Sequence, residues 1–425
     1  MSDGFAILSK DNGETFMNDN FKHNLKYFIL FGVLFELMNV FYNPYAMKFL
    51  ERIGGTAFHF SLINSTKGII MIFTALPAAF IINKISNKQK VTANIVLIMA
   101  IIVLSLFFIP MLPNEFQVMT FIVILTLLMI PIAIYNISYQ NIAGEIFPMR
   151  RARVFSKRSI YTIIFTTIVT LTSGFIFRYF AHNNNEYIFI YRIFYIMAFV
   201  FGLLAFLTFR KIHYIPIHTN EQMRFKGSFK KVFKNKKYRK FVLSSTIFHF
   251  GWQMGWPLFS IYTIKTLGAD EFWISIISVG SAIVMLFSLR IWPRLIEKYG
   301  NEKIAYICTF GMAITPILYV ISKTLFVLAI FSSLSGLFTA GTITVLFSDM
   351  LEVIPVKNRV IYVGYYNVLT NITLAISPLV GHFFYESKGI VFALIITSVF
   401  RLFGGLSFMM RERSERKYKV ISNSP

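Results

Sequence analysis

Long apolar runs alternate with short polar connections along the whole 425-residue chain. Each run holds about 20 residues, the length that a helix needs to cross a hydrocarbon core of roughly 30 Å. The pattern predicts an all-α membrane protein with twelve transmembrane helices. They are placed at 27–49, 57–82, 91–110, 116–144, 158–180, 188–209, 241–264, 271–292, 303–321, 325–351, 360–384 and 389–410.

The distribution of Lys and Arg supports this count. If the spans are right, basic residues concentrate on alternate connections. With the N-terminus on the inner side, 33 of the 42 basic residues fall on inner connections and tails, 7 on the outer side, and 2, Lys67 and Arg401, inside spans. The bias predicts cytoplasmic termini, and we expect a multi-pass protein of a bacterial plasma membrane.

Composition excludes a soluble protein and gives no sign of an enzyme. The chain is 56% hydrophobic with a mean hydropathy of +0.63, which would leave large apolar patches in water. Cys308 is the single cysteine, so intrachain disulfides and cysteine metal cages are excluded. The sequence has no phosphate-binding glycine loop or nucleophile elbow, and we expect no cofactor and no metal. The first 26 residues lack the pattern of a signal peptide.

Two basic stretches, "EIFPMRRARVFSKRS" (145–159) and "SFKKVFKNKKYRK" (228–240), carry much of the net charge of +23. A nucleic-acid site is conceivable for such runs. In a membrane protein, however, basic segments between spans lie against anionic head groups. We therefore expect the lipid bilayer, and no nucleic acid, as their partner.

The chain contains an internal repeat. "FLERIGGTAFHFSLINS" and "TIKTLGADEFWISIISV" align without gaps at an offset of 214, and "EIFPMRRAR" and "EVIPVKNR" align at 207. The repeat predicts two pseudo-symmetric six-helix halves. The domains are a cytoplasmic tail (1–26), a first half (27–210), a basic cytoplasmic linker (211–240), a second half (241–410) and a cytoplasmic C-terminal tail (411–425).

These motifs resemble those of the major facilitator superfamily. "EKYGNEK" after span eight resembles its loop signature, "INKISNKQK" after span two is a degenerate copy, and the two E-x-x-P elements resemble its signature after spans four and ten. The sequence departs from the family at Asn83 and Ser86, where an acid and a glycine are usual, and span five lacks the proline of drug/proton antiporters. The resemblance implies two bundles that rock about a central substrate site.

The loop motifs predict a gate at the inner ends of the helices. Carboxylates there can bind basic side chains in one state and release them in the other. The alternative is that the basic residues are ordinary positive-inside anchors. The candidate gating residues are Asn83, Lys84, Glu145, Arg151, Arg153, Glu297, Lys298, Gly300, Asp349, Glu352 and Arg359.

Ionisable residues inside spans are the first candidates for a transport site, because a charge at mid-bilayer costs roughly 2.5–3.5 kcal/mol. Glu36 shares a helical face with Asn39 and Asn43, and Lys67 lies at a comparable depth in span two. We expect a Glu36–Lys67 pair that binds protons or substrate; a static structural pair is the alternative. Arg401 is interpreted as a helix-packing residue.

Further polar residues lie in spans four, seven and eleven, which line the cavity in the resembled family. Asn39 aligns with Gln253 in the repeat, and His249 could carry protons or be a satisfied helix contact. Amides and aromatic rings suit a neutral or amphipathic organic molecule. The candidates in these spans are Asn136, Tyr139, Gln140, His249, Gln253, Trp256, Asn367 and Asn371.

The sequence thus predicts a secondary transporter of a small organic solute that works by alternating access as a monomer, with proton coupling favoured and a uniporter as the alternative. Its aromatic-rich cavity favours efflux of an amphipathic compound. Uptake of a sugar or peptide, or a role as a lipid flippase or sensor of the same fold, remain open alternatives. The sequence has no nucleotide-binding motif, which argues against an ATP-driven pump.

Overall fold

The structure is a computed structural model, which describes residues 10–85, 87–147, 151–214, 228–288, 290–355 and 359–422. Two short helices, Ser228–Lys234 and Ile291–Tyr299, lie in the connections, and the long helices correspond in order to the twelve predicted spans. We number them α1 (Lys10–Val40, continued by Ala46–Arg52), α2 (Ala57–Lys84), α3 (Lys88–Ser105, continued by Leu106–Met111), α4 (Asn114–Leu127 and Met129–Ile146), α5 (Arg151–Phe180), α6 (Asn184–Arg210), α7 (Lys236–Ser260, continued by Ile261–Thr266), α8 (Glu271–Ser288), α9 (Asn301–Ile321), α10 (Leu325–Val353), α11 (359–388) and α12 (390–422).

Eight described segments are long and apolar enough to cross a membrane by length and composition. The last of them, Ile361–Ser414, contains both α11 and α12. The three helices outside this set are α1, α2 and α7, which carry Glu36, Lys67 and His249.

Helix breaks occur where the sequence removes a backbone hydrogen bond or favours a positive φ. α4 is interrupted at Leu128, three residues before Pro131. Proline has no backbone N–H to donate to the preceding turn, and its ring clashes with that turn. α11 and α12 form one continuous run except at Gly389, which has φ +80°. Glycine adopts this conformation without the steric strain that a Cβ would introduce, so the chain can turn there.

The two halves meet along two helix pairs. α2 packs against α11, and α5 packs against α8. The backbones approach closely where side chains are small: a Cβ on Gly68 would lie 2.5 Å from the Ala375 nitrogen, and one on Gly174 would lie 2.5 Å from Ser275 Oγ. Small residues at helix crossings are the usual means of close packing in membranes.

Among the described residues, the buried apolar core is continuous across the two halves at one end of the molecule. One cluster of buried residues runs from the first half into Tyr262, Ile274, Leu328 and Leu394. A second, separate cluster occupies the other end of the second half. We call the end at which the two halves share a core the Arg52 end, and the opposite end of the molecule the Glu145 end. The described halves are thus joined at the Arg52 end.

The internal repeat is visible in the backbone. Gly54 and Gly268, which the sequence aligns, have φ values of +97° and +68° and precede α2 and α8. Their aligned serines, Ser61 and Ser275, are both fully buried. The two six-helix bundles are therefore pseudo-symmetric, as the repeat predicted.

Candidate functional site

A cavity of about 230 Å³ lies between α1 and α5 of the first half and α8 of the second. Both halves contribute to it, so a relative movement of the halves would change its shape. Its lining consists mainly of amide, hydroxyl and carboxylate side chains with a few apolar ones. The lining residues are Glu36, Asn39, Val40, Asn43, Pro44, Thr166, Thr167, Thr170, Ser278, Val279 and Ala282.

Glu36 is the charged residue of this cavity, and its side chain is 38% exposed. Asn39 Nδ2 donates to Glu36 Oε2 at 3.2 Å, and the Tyr42 hydroxyl donates to Asn39 Oδ1 at 2.9 Å. The predicted face of Glu36, Asn39 and Asn43 therefore does line a cavity. Among the predicted transport residues, these three are the ones that the cavity brings together.

The cation nearest to Glu36 is Arg158, at the start of α5. Its Nη2 lies 3.9 Å from Glu36 Oε1, and its guanidinium lies 5.3 Å from the ring centre of Tyr139. A Cβ on Gly32 would lie 2.2 Å from Arg158 Nε, so this glycine leaves the space that the side chain fills. The sequence analysis did not select Arg158 because it is the last basic residue of the stretch 145–159, which was assigned to the connection before α5. The face of α5 on which Arg158 lies could have identified it.

The predicted Glu36–Lys67 pair is not formed in the described part of the chain, where Glu36 contacts Arg158 instead. Thr66 Oγ1 lies 2.7 Å from Thr126 Oγ1 on α4, and Gly68 packs against α11. α2 therefore lies between α4 and α11, whereas α1 packs against α5 and α6. Similar depth in the membrane did not make the two residues neighbours, because their helices occupy different places in the bundle.

The threonine face of α5 was also missed. Thr166, Thr167 and Thr170 line the cavity, and the Thr167 hydroxyl is buried without a hydrogen-bond partner in the described residues. The Thr166 hydroxyl donates to the Thr162 carbonyl at 2.9 Å. Since threonine often bonds its own helix in this way, a hydroxyl stripe is a weak sequence signal. The spacing 162, 166, 170 could nevertheless have identified it.

Polar side chains of α7 form hydrogen bonds with α11. The Gln253 amide donates to the Thr370 carbonyl at 3.1 Å and accepts from the Thr373 hydroxyl at 2.6 Å. His249 is buried, with Nδ1 2.8 Å from the Ser245 carbonyl oxygen. This geometry fits the alternative reading of His249 as a satisfied helix contact.

The remaining candidates do not line this cavity and differ in their exposure. Asn136 and Gln140 are exposed, Tyr139 is buried with an unpartnered hydroxyl in the described residues, and Trp256 is 38% exposed. Asn371 donates to the carbonyl of Asn367 in its own helix at 2.7 Å, and both are half-buried. No described group of three His, Cys, Asp or Glu side chains could hold a metal ion.

At the Glu145 end, the glutamate of each E-x-x-P element contacts the first residue of the third helix of its own half. Lys88 Nζ lies 2.6 Å from Glu145 Oε1, and the Tyr214 hydroxyl donates to Glu145 Oε2 at 2.6 Å. In the second half, Asn301 Nδ2 donates to Glu352 Oε2 at 2.6 Å. The two glutamates therefore occupy equivalent positions, with a cation in one half and an amide in the other.

The other predicted gating residues have different surroundings. Asp349 binds the Arg411 guanidinium through both carboxylate oxygens, and both residues are buried. Glu297 and Lys298 are exposed, and Gly300 has φ +84° at the junction with α9. The side chains of the five other predicted gating residues lie outside the described part of the structure. These residues are Asn83, Lys84, Arg151, Arg153 and Arg359.

Comparison with known proteins identifies the family. The family model described as Major Facilitator Superfamily matches residues 29–248 and 241–424. The tetracycline resistance protein, class H, of Pasteurella multocida is 31% identical over 147 residues, which are 34% of this chain. The match spans 36% of the length of that relative.

Solved structures agree in fold. The nucleoside transporter NupG superposes with a TM-score of 0.65 at 16% identity, covering 91% of this chain and 99% of NupG. A bacterial homologue of the human lysosomal transporter Spinster, inward-facing and unoccupied, has a TM-score of 0.65 at 11% identity, covering 96% and 99% of the two chains. With the family match, the twelve helices and the cavity between the halves, the chain is a transporter, not an enzyme, and belongs to the Major Facilitator Superfamily.

Proposed function

We propose that the protein exports an amphipathic organic solute across the membrane in exchange for protons, by alternating access. The observation that carries this proposal is the position of Glu36. Its carboxylate is partly exposed in a cavity to which both halves contribute, 3.9 Å from the Arg158 guanidinium. A titratable group in such a place can be reached by protons and can respond to movement of the halves.

The Glu36–Arg158 pair supplies a physical means of coupling. At 3.9 Å the ion pair is longer than an ordinary hydrogen bond. Deprotonated Glu36 attracts the Arg158 guanidinium, whereas protonated Glu36 releases it. Since a charge inside the membrane is costly, protonation changes which arrangement of the two halves is favoured.

The cavity lining supports the substrate class. Hydroxyl and amide groups such as Thr166 and Asn39 can bind polar groups of a solute, and Val40 and Val279 can contact its apolar parts. Efflux is favoured by the match to a tetracycline resistance protein, although that match covers about a third of each chain. Tetracycline is therefore the first compound to test.

The test uses the full chain in proteoliposomes with an imposed proton gradient. We expect gradient-driven movement of tetracycline in the wild type and loss of its dependence on the gradient in Glu36→Gln. Glu115→Gln is the matched control, because Glu115 is exposed at the start of α4. Full gradient-driven flux in Glu36→Gln would overturn the coupling role.

Further compounds distinguish the alternatives. A sugar or dipeptide that is accumulated when tetracycline is not would point to an uptake permease. A labelled phospholipid that changes leaflet would point to a flippase. Binding of a solute without any flux would point to a sensor.

A further inference from the structure

A buried ion pair joins the two halves at the Arg52 end. Arg52 is the last residue of the short helix Ala46–Arg52 that continues α1, and Glu271 is the first residue of α8. The guanidinium binds both carboxylate oxygens: Nη2 donates to Oε2 at 2.8 Å, and Nε donates to Oε1. The Glu271 side chain is fully buried and that of Arg52 is 14% exposed. None of the sequence motifs predicted this pair.

Three more side chains of the first half contact the Arg52–Glu271 pair. The Tyr191 hydroxyl donates to Glu271 Oε1 at 2.9 Å. The Arg52 guanidinium lies 3.4 Å from the ring centre of Tyr187, and Nη1 donates to Asn184 Oδ1 at 3.2 Å. A carboxylate from the second half is thus bound by several donors of the first half. Charge-assisted and bidentate contacts of this kind are the strong class of hydrogen bonds.

The pair lies next to the contacts that bound the cavity at this end. The Tyr45 hydroxyl lies 2.7 Å from Ser275 Oγ and donates to the Thr170 carbonyl at 3.1 Å. Ser275 is one helical turn from Glu271 on α8, and Ser278, a further turn along, lines the cavity. Separating α5 from α8 here would open the cavity at the Arg52 end.

We propose that the Arg52–Glu271 pair is the lock that keeps the cavity closed at the Arg52 end, and that it breaks and re-forms in each transport cycle. In the closed state the pair is withdrawn from water, and its charges compensate each other. When the halves separate, water must replace those contacts. Removing one partner leaves the other charge buried and unpaired, which disfavours the closed state.

The proposal rests on alternating access, but it depends on neither proton coupling nor the identity of the solute. A conformational measurement therefore tests it separately. Spin labels are attached at Asn185 and Lys323, which are exposed at this end and belong to different halves. Cys308, the single native cysteine, is first replaced by serine. Distances are recorded in lipid nanodiscs, without solute or proton gradient.

We expect Glu271→Gln and Arg52→Gln each to raise the ratio of long to short distances at least about tenfold, as the loss of charged hydrogen bonds implies. The double variant should shift the ratio by less than the product of the two single effects, because neither charge is then left unpaired. Glu51→Gln is the control, since Glu51 pairs with Lys48 in the same short helix at 2.7 Å without crossing to the other half.

Distances that match those of the wild type in both folded single variants would overturn the proposal, as would an equal shift in Glu51→Gln. If a glutamine variant does not fold, Arg52→Lys keeps the charge but loses the bidentate contact. It should then give an intermediate shift, and no shift in that variant would count against the lock. Coupled flux in Glu36→Gln tests the proposed function separately: lost coupling there, beside unshifted distances in Glu271→Gln and Arg52→Gln, would overturn the lock alone. Full gradient-driven flux in Glu36→Gln, beside shifted distances in the lock variants, would overturn the coupling role alone.

Discussion

Arg401 offers a quantitative test of how the second half is held together. It is fully buried in α12, and its guanidinium donates to three backbone carbonyls: Met312 at 2.9 Å, Gly251 at 3.2 Å and Trp252 at 3.0 Å. The Met312 carbonyl needs this donor most. Its usual helical partner would be residue 316, which is proline and has no N–H.

The magnitude of the Arg401→Met effect follows from this difference. The carbonyls of Gly251 and Trp252 keep their regular helical donors in α7, so they lose little. The Met312 carbonyl would be left buried and unpaired, at a cost of about 1–3 kcal/mol. In a Pro316→Ala background the alanine N–H can bond this carbonyl. We therefore expect Arg401→Met to cost at least about 1 kcal/mol less there.

Thermal unfolding can be followed with a thiol-reactive fluorophore, because Cys308 is the single cysteine and is fully buried. Arg401→Met should lower the Tm, and it should lower it less when Pro316 is already alanine. Arg413→Met is the control, since Arg413 is exposed on the same helix. Equal losses of Tm in the two backgrounds would refute the argument from the proline-freed carbonyl.

Three further substitutions test other parts of the structure. Gly32→Ala places a Cβ 2.2 Å from Arg158 Nε, so we expect reduced gradient-driven tetracycline flux at nearly unchanged Tm. Asp349→Asn removes the carboxylate charge that binds the buried Arg411 guanidinium and should cost about 3–5 kcal/mol in denaturant unfolding. Gly300→Ala should cost about 1–3 kcal/mol in the same assay, because φ is +84° there.

The sequence was sufficient to predict the helices, because each apolar run must satisfy its own backbone hydrogen bonds in lipid. It was also sufficient for Glu36, since a carboxylate inside such a run has few alternatives to a cavity. It was insufficient for the partner of Glu36. Hydrophobic periodicity gives the depth and face of a residue on its helix, but not which helices are neighbours, and Arg158 is brought to Glu36 by the packing of α5 on α1.

The repeat also explains why the ion pair at the Arg52 end could not be found by comparing the halves. At the offset of 214, Arg52 aligns with Thr266 and Glu271 aligns with Ala57, so neither charge has a copy in the other half. The glutamates at the opposite end do have copies, Glu145 and Glu352, and both contact partners within their own half. A contact within a half can be repeated by symmetry without joining the halves. A contact that joins them can instead use charges that only one half carries, and the Arg52–Glu271 pair is of this second kind.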